Sequence, residues 1–424
     1  MSSAGVFQAS GPGTQSSGVL RPLGAFERLY YRYAERNPLH FTVAAEFRVS
    51  LDEKRVRAAL AAVQERHPLL SAHIEDLPDT RLTFVRSRNV RSVGLTKIQQ
   101  RSSEWRSHAA DELSRPFNRS EAPLMRAVLV GDGEGSTILL TFDHTVADGI
   151  SAIRIMRDLV MALNDHPLTP LTLPPSQEEM LARSLPESDR RIPEAKDGDR
   201  RLVGPATLRP FDRSAAPDIH TAELTAAETG RLIQRCRAEG TTVNALITAV
   251  ASGVRAKERT EQFVRTVTNI NFRSLIGAGD DCVDYLTATR TGMAPHDGST
   301  VWDQARVIGK DIAAARSPAG IGGASALTQQ FIPADAGSEL AESFMVGALS
   351  YEIMISNLGV QDIPDVGPVR PHALWGPILL CQVEGEYVTG VTTYDGRLRF
   401  VTCAHDSVSA FVDELRAALV SAGD

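Results

Sequence analysis

Residues 137–163 run TILLTFDHTVADGISAIRIMRDLVMAL, a pattern that reads as a strand, a tight turn and a helix. Thr137 to Phe142 is a short apolar run. With Ala127 to Val130 before it and Gly131 to Gly135 between them, it reads as the second strand of a hairpin. That strand delivers Asp143 and His144 at its end. From about Gly149 to Leu163, the residues Ile150, Ile153, Met156, Leu159, Val160 and Leu163 recur at helical spacing. A histidine between a buried strand and a helix is held by a rigid scaffold yet stands where the chain meets a cleft. Its neutral imidazole accepts a proton near pH 7, which an alcohol or amine must lose as it attacks a carbonyl. His144 is therefore the candidate general base. The chain has 10 histidines, however, and His-x-x-x-Asp-Gly is a short string, so the motif alone is moderate evidence.

Two readings of Asp148 stand side by side. It occupies the N-cap position of the helix beginning at Gly149, where a short acidic side chain bonds free backbone N–H groups. Alternatively it points inward to a buried arginine and fixes the turn that presents His144. Arg273, at the end of a strand running from about Val264 to Phe272, is the partner chosen for it. Such a pair is structural, because removing either member strands a charge. Gly149 gives the backbone room for the turn and leaves the helix N-terminus open.

Working outward, residues 1–18 form a Ser- and Gly-rich segment without the basic start and apolar run of a signal peptide, and are expected to be a flexible tail. A helix is predicted through Phe26, Leu29, Tyr30 and Tyr33. A strand is predicted over Phe41 to Val49, with Val43, Ala45 and Phe47 alternating against Thr42, Glu46 and Arg48. Asp52 caps a further helix carrying Val56, Ala59, Leu60 and Val63, and Pro68 stops it. Between residues 183 and 218 periodicity dissolves into mixed charges and five prolines, read as a linker or crossover. This divides the chain into an N-terminal domain over residues 19–182 and a C-terminal domain over 219–424. In the second domain helices are expected at Ala226 to Ala238 and after Thr241 or Thr242, with strands at Phe263 to Phe272 and Ala348 to Ser356. A hairpin pairs Tyr387 to Tyr394 with Leu398 to Ala404 around Asp395-Gly396, and a helix closes the chain from about Val408 to Ser421. Both halves read as α/β or α+β.

At 424 residues the chain exceeds one ordinary core, in keeping with two domains. A hydrophobic share of 42% with 23% charged residues is the balance of a water-soluble globular protein. A net charge of −7 gives no bulk attraction to nucleic acid. No apolar stretch is long enough to span a membrane, and the expected location is the cytoplasm. Cys236, Cys282, Cys381 and Cys403 are scattered without Cys-x-x-Cys spacing, only Cys403 loosely neighbours a histidine, His405, and all four read as reduced interior residues.

The segment His144 to Gly149 resembles the His-His-x-x-x-Asp-Gly motif of the chloramphenicol-acetyltransferase-like, CoA-dependent acyltransferase superfamily. Nonribosomal peptide condensation domains and polyketide-associated acyltransferases belong to it. Other segments fall in the order that superfamily has: Arg66-His67-Pro68-Leu69-Leu70, Arg115-Pro116-Phe117, Pro123-Leu124-Met125-Arg126, Asn271-Phe272-Arg273 and Ser356-Asn357-Leu358-Gly359. The likeness covers the chain from about residue 20. It is strongest to stand-alone condensation-like enzymes of the phthiocerol dimycocerosyl transferase type. The resemblance implies two chloramphenicol-acetyltransferase-like domains forming a V-shaped pseudo-dimer, with His144 in a channel at their junction. It implies no metal and no permanently bound cofactor, and the chain is expected to be a monomer. An acyl-CoA or acyl-carrier-protein thioester is the donor, a hydroxyl or amine is the acceptor, and transfer is direct. It also makes Asp148 and Arg273 structural partners. One departure is that Asp143 replaces the first histidine of the doublet. Asp143 either faces away on the strand or holds a nearby positive charge. If its carboxylate lay beside the imidazole, it would raise the proton affinity of His144.

The oxyanion that develops on an attacked thioester needs a hydrogen-bond donor about 3 Å away. Ser356, Asn357 and the backbone around Leu358-Gly359 are the candidates, although Ser-Asn-x-Gly also suits an ordinary strand-ending turn. Trp375 either lines a substrate pocket or is a core residue. A serine hydrolase is disfavoured by the lack of a Gly-x-Ser-x-Gly elbow, and ATP-driven ligation by the lack of a phosphate loop. Two alternatives to acyl transfer onto a free acceptor remain. One is a stand-alone condensation enzyme joining carrier-tethered substrates, and the other a catalytically silent homologue acting as a docking protein.

Overall fold

The computed structural model describes residues 18–88, 90–194, 200–295 and 298–424, so the expected tail lies outside the described residues except for Gly18. The first half comprises β1 (Val19–Pro22), α1 (Ala25–Tyr33), β2 (His40–Phe47), α2 (Glu53–Arg66), β3 (Ala72–Leu77), β4 (Arg81–Arg86) and β5 (Gly94–Ile98). It continues with α3 (Trp105–Leu113), β6 (Met125–Gly131), β7 (Ser136–Asp143), α4 (Gly149–Leu163) and α5 (Gln177–Ser184). The second half comprises β8 (Asp218–Glu223), α6 (Ala226–Ala238), α7 (Val243–Arg259), β9 (Val264–Asn271), α8 (Arg273–Ile276), β10 (Leu286–Met293) and α9 (Val301–Ala315). Then come α10 (Pro318–Phe331), α11 (Ser338–Ala348), β11 (Ile353–Val360), β12 (Pro371–Ile378), β13 (Tyr387–Tyr394), β14 (Arg397–Ala404) and α12 (Ser409–Gly423).

Local chemistry explains many of these boundaries. The side chains of Asp52, Thr225 and Thr242 each accept a backbone N–H in the first turn of α2, α6 and α7. Asp395 and Gly396 both take positive φ, 52° and 70°, which matches the twist of a two-residue hairpin turn between β13 and β14.

The strands form two large sheets, ordered β12-β2-β7-β6-β5 and β10-β9-β11-β13-β14-β8, with a small sheet β1-β4-β3 beside them. Each large sheet belongs to one lobe, with one exception. β12 leaves the second half and pairs antiparallel with β2 at the edge of the first sheet. A boundary at residue 218 therefore separates the chain but not the sheets. One hydrophobic core runs from Leu29, Phe41 and Met156 of the first half to Val267, Tyr285 and Met354 of the second. A second core, including Leu246, Ile308, Phe400 and Phe411, lies wholly in the second half.

Where β12 crosses toward β13, Gly390 permits backbone contact. A Cβ there would stand 2.1 Å from the Pro377 carbonyl oxygen. Gly390→Ala is expected to cost about 1–3 kcal/mol through this overpacking, read as a lowered midpoint in urea with an unchanged slope.

Two expectations need correction. β2 is not half-exposed: Thr42 is buried and its hydroxyl meets that of Thr141 at 2.9 Å, because the strand lies inside the sheet between β12 and β7. It also ends at Phe47, leaving Arg48 and Val49 exposed. The strand expected over Ala348 to Ser356 is displaced. Ala348 ends α11, and parallel pairing with β9 and β13 sets β11 at Ile353–Val360. Along the segment read as a linker or crossover, α5 extends to Ser184 and Leu208 bridges Val383. Arg209 also donates its N–H to the Gln382 carbonyl at 2.8 Å.

Candidate functional site

β7 is buried along its whole length and pairs with β2 and β6, which fixes where its C-terminal end emerges. The chain then turns sharply. The Asp143 carboxylate accepts the Thr145 N–H at 3.0 Å, and the Asp143 carbonyl accepts the Val146 N–H at 3.2 Å. Asp143 thus spends its side chain on its own turn, an arrangement sequence favours for a short acidic residue. His144 is 8% exposed, and its ring lies against those of Tyr30 at 4.6 Å and Phe41 at 4.9 Å.

Asp148 does both jobs weighed for it. One carboxylate oxygen accepts the Ser151 N–H at 2.8 Å, capping α4. Both oxygens accept from Arg273, at 2.6 and 2.9 Å, and one also accepts the Tyr285 N–H at 3.1 Å. Burial would push this carboxyl up, but the Arg273 charge and these hydrogen bonds hold it below its ordinary range. Arg273 stands at the first residue of α8 rather than at the end of β9. It donates further to the Ser151 hydroxyl at 2.8 Å and the Val283 carbonyl at 2.7 Å. Gly149 serves close approach, because a Cβ there would come within 2.7 Å of the Leu358 side chain from the second lobe.

The carboxylate facing the imidazole is Asp284, a residue the sequence reading did not single out. His144 Nδ1 lies 3.3 Å from Asp284 Oδ1, without the alignment of a good hydrogen bond. Burial is the largest single influence and opposes a charged imidazole, but the Asp284 charge and hydrogen bonding, with smaller help from the His144 backbone and Asp148, together raise the His144 pKa overall. Burial likewise pushes the Asp284 carboxyl up, to about 7. The influence considered for Asp143 comes instead from a loop 140 residues further along. Local pattern gave no signal for it, since Asp280, Asp281 and Asp284 form an unremarkable acidic loop.

His144 borders two cavities. The larger, about 210 Å³, lies between α1 and the helices α10 and α11 and is walled mainly by apolar groups such as Phe26, Leu29, Leu327, Phe344 and Met354. The smaller, about 40 Å³, is polar on one side, where Asn269, Asn271, Ser356 and Asn357 meet His144. Asn269 Nδ2 donates to the Ser356 hydroxyl at 3.2 Å, so the Ser356 O–H remains to donate elsewhere. Asn357 donates to the Asn244 side chain at 3.0 Å and accepts the Gly359 N–H at 2.8 Å. Gly359 takes a positive φ of 74° beside the site and does not line the cavity.

Trp375 is not brought to this site. Its indole N–H donates to Glu46 at 2.5 Å, and its ring lies near Trp105 and under Arg399. The core alternative is therefore the one observed, because β12 carries Trp375 into the first sheet. All four cysteines are buried and unpaired by disulfides. Among the described residues no helix is long and apolar enough to cross a membrane.

Residues 28–177 match the model of the Condensation domain family. A linear gramicidin synthase from Brevibacillus parabrevis is 27% identical over 171 residues, which is 36% of this chain and 2% of that protein. The chain thus spans a small fraction of that relative. Polyketide synthase associated protein 5 from Mycobacterium tuberculosis superposes with a TM-score of 0.67 at 15% identity, covering 97% of this chain and 99% of that one. The first condensation domain of the CDA synthetase superposes with a TM-score of 0.66 at 13% identity, covering 96% and 97%. Residues 28–177 are thus similar to a Condensation domain, and the whole described chain shares its fold with these two structures.

Proposed function

We propose that this protein is an acyltransferase moving an acyl group from a carrier-protein or coenzyme A thioester directly to a hydroxyl or amine, with His144 as general base. The observation that carries this reading is the position of His144 between a mainly apolar cavity and a smaller one with a polar side, bordering both. In this mechanism His144 Nε2 takes the acceptor's proton as its oxygen or nitrogen attacks the thioester carbonyl. The tetrahedral oxyanion is stabilised by donors of the smaller cavity, with the Ser356 O–H foremost. The carbon–sulfur bond then breaks, and the proton passes from Nε2 to the departing thiolate. A thioester already carries the activation, so alignment, one proton transfer and one oxyanion partner suffice.

The larger cavity suits an apolar chain, on the donor or the acceptor. Ala324 of α10 lines it, and Ala324→Phe is expected to lower kcat/KM for the longest chains by roughly 10-fold or more relative to short ones. The proposed activity is tested by mixing purified protein with a panel of acyl thioesters, alcohols and amines, following thiol release and product mass together. Thiol release matched by acylated acceptor supports direct transfer. A kinetically competent acyl adduct on Ser356 or a cysteine overturns that mechanism. Absence of turnover across the panel favours the docking-protein alternative.

A further inference from the structure

We propose that Asp284 is a positioning residue for His144, holding the ring proton on Nδ1 so that Nε2 is left to face the cavities as the base. Asp284 is fully buried, and among the described residues neither carboxylate oxygen has a hydrogen-bond partner. Among the described residues the basic group within ion-pair distance of it is His144 Nδ1, at 3.3 Å, a ring nitrogen that bonds no other side chain. Burying a carboxylate without compensation is costly, and a carboxylate serving the fold would be satisfied by backbone donors or an arginine. The neighbours of Asp284 are so satisfied. Asp280 bridges Arg157 at 2.9 Å and Arg66 at 3.0 Å. The Val283 N–H donates to the Ser151 hydroxyl at 3.1 Å, its carbonyl accepts from Arg273, and the Tyr285 N–H donates to Asp148. The loop between α8 and β10 is therefore pinned on both sides of Asp284 to α4, the helix that follows His144. The Asp148–Arg273 pair thereby acts on the base at one remove, by placing the carboxylate that faces it.

The charged and titratable groups around the pair are few. Asp148 is neutralised by Arg273, Glu27 of α1 is held by Arg21 at 2.6 Å, and Tyr30 of α1 stacks on the imidazole, its phenol kept neutral by burial. None of these supplies an uncompensated negative charge at Nδ1, so the main charge that lifts the imidazole is that of Asp284, with Asp148 a smaller influence. As Nε2 takes the acceptor's proton, the imidazolium formed faces a carboxylate already in place, and both lose that charge match when Nε2 protonates the thiolate.

For turnover this rests on the acyl-transfer reading, but the titration of His144 does not. The test uses full-length protein labelled with 13C in histidine, with His144→Gln identifying the His144 signal. Removing a negative charge destabilises imidazolium, so His144 in Asp284→Asn is expected to titrate at lower pH than in wild type. Asp284→Ser gives the same direction with a smaller side chain, should the asparagine perturb the fold. Asp281→Asn, a charge removed from the same loop, leaves the His144 titration where it was. If thioesters are turned over, kcat/KM of Asp284→Asn falls about 10- to 100-fold, and its acid limb moves to lower pH by the same displacement. Titration of His144 at the wild-type pH in both Asp284 variants overturns the proposal. A titration displaced in the Asp284 variants, when the wild-type protein turns over no thioester, supports the pairing and sinks the acyl-transfer reading instead.

Discussion

His144→Ala is expected to lower turnover by about 100- to 10,000-fold, the usual contribution of a positioned general base, with little change in melting temperature. The stability half of this expectation follows from the surroundings. Removing the imidazole leaves Asp284 facing an empty space, and an ionised carboxylate there would cost several kcal/mol. With burial pushing its carboxyl up and the opposing influence of the imidazole gone, Asp284 escapes that cost by taking up a proton. The remaining side-chain loss is small, because the backbone turn is held by Asp143 and Asp148 rather than by the ring. Thermal melts together with product formation decide the matter. Near-wild-type turnover in a folded variant would remove His144 from the mechanism.

The second large effect is on folding. Arg273→Ala and Asp148→Asn are each expected to cost about 3–5 kcal/mol, a large share of the roughly 5–15 kcal/mol by which a domain is stable. Arg273 is 3% exposed and makes four hydrogen bonds through its two terminal nitrogens, to Asp148, Ser151 and Val283. Its loss leaves the Asp148 charge buried and unpaired and loosens the loop that carries Asp284. The pH dependence has a definite sign. Asp148 is held below its ordinary carboxylate range, so its contribution is present at neutral pH and is lost as pH falls through its depressed folded value. The gap in stability between wild type and Asp148→Asn should therefore close on strong acidification. Urea unfolding across pH checks this, and a gap that widens in acid would refute the assignment. Unchanged stability with lost turnover would instead make Asp148 a chemical residue.

Elements governed by local chemistry were legible in the sequence. The helix at Gly149–Leu163, its cap Asp148, the helix at Ala226–Ala238 and the hairpin at Asp395-Gly396 stand where periodicity and turn chemistry put them. The pairing of Asp148 with Arg273 was reachable too, because both residues lie in motifs that the superfamily resemblance aligns. Strands whose limits depend on partners were less legible. β2 and β11 were misjudged in their exposure or ends, since a strand inside a sheet is buried on both faces and its register is set by neighbours distant in sequence.

Sequence by itself determined the local devices: which residues cap, turn and alternate, and that His144 follows a buried strand and precedes a helix. Tertiary structure alone decided what surrounds that histidine. It placed Asp284 beside the ring, moved Trp375 into the first sheet with β12, and made walls for the cavities from helices of both halves. The physical reason is range. Capping, turn chemistry and periodicity act over a few neighbouring residues and leave a pattern there. A carboxylate brought to an imidazole by the pinning of a distant loop leaves none, because its position depends on contacts made elsewhere in the chain.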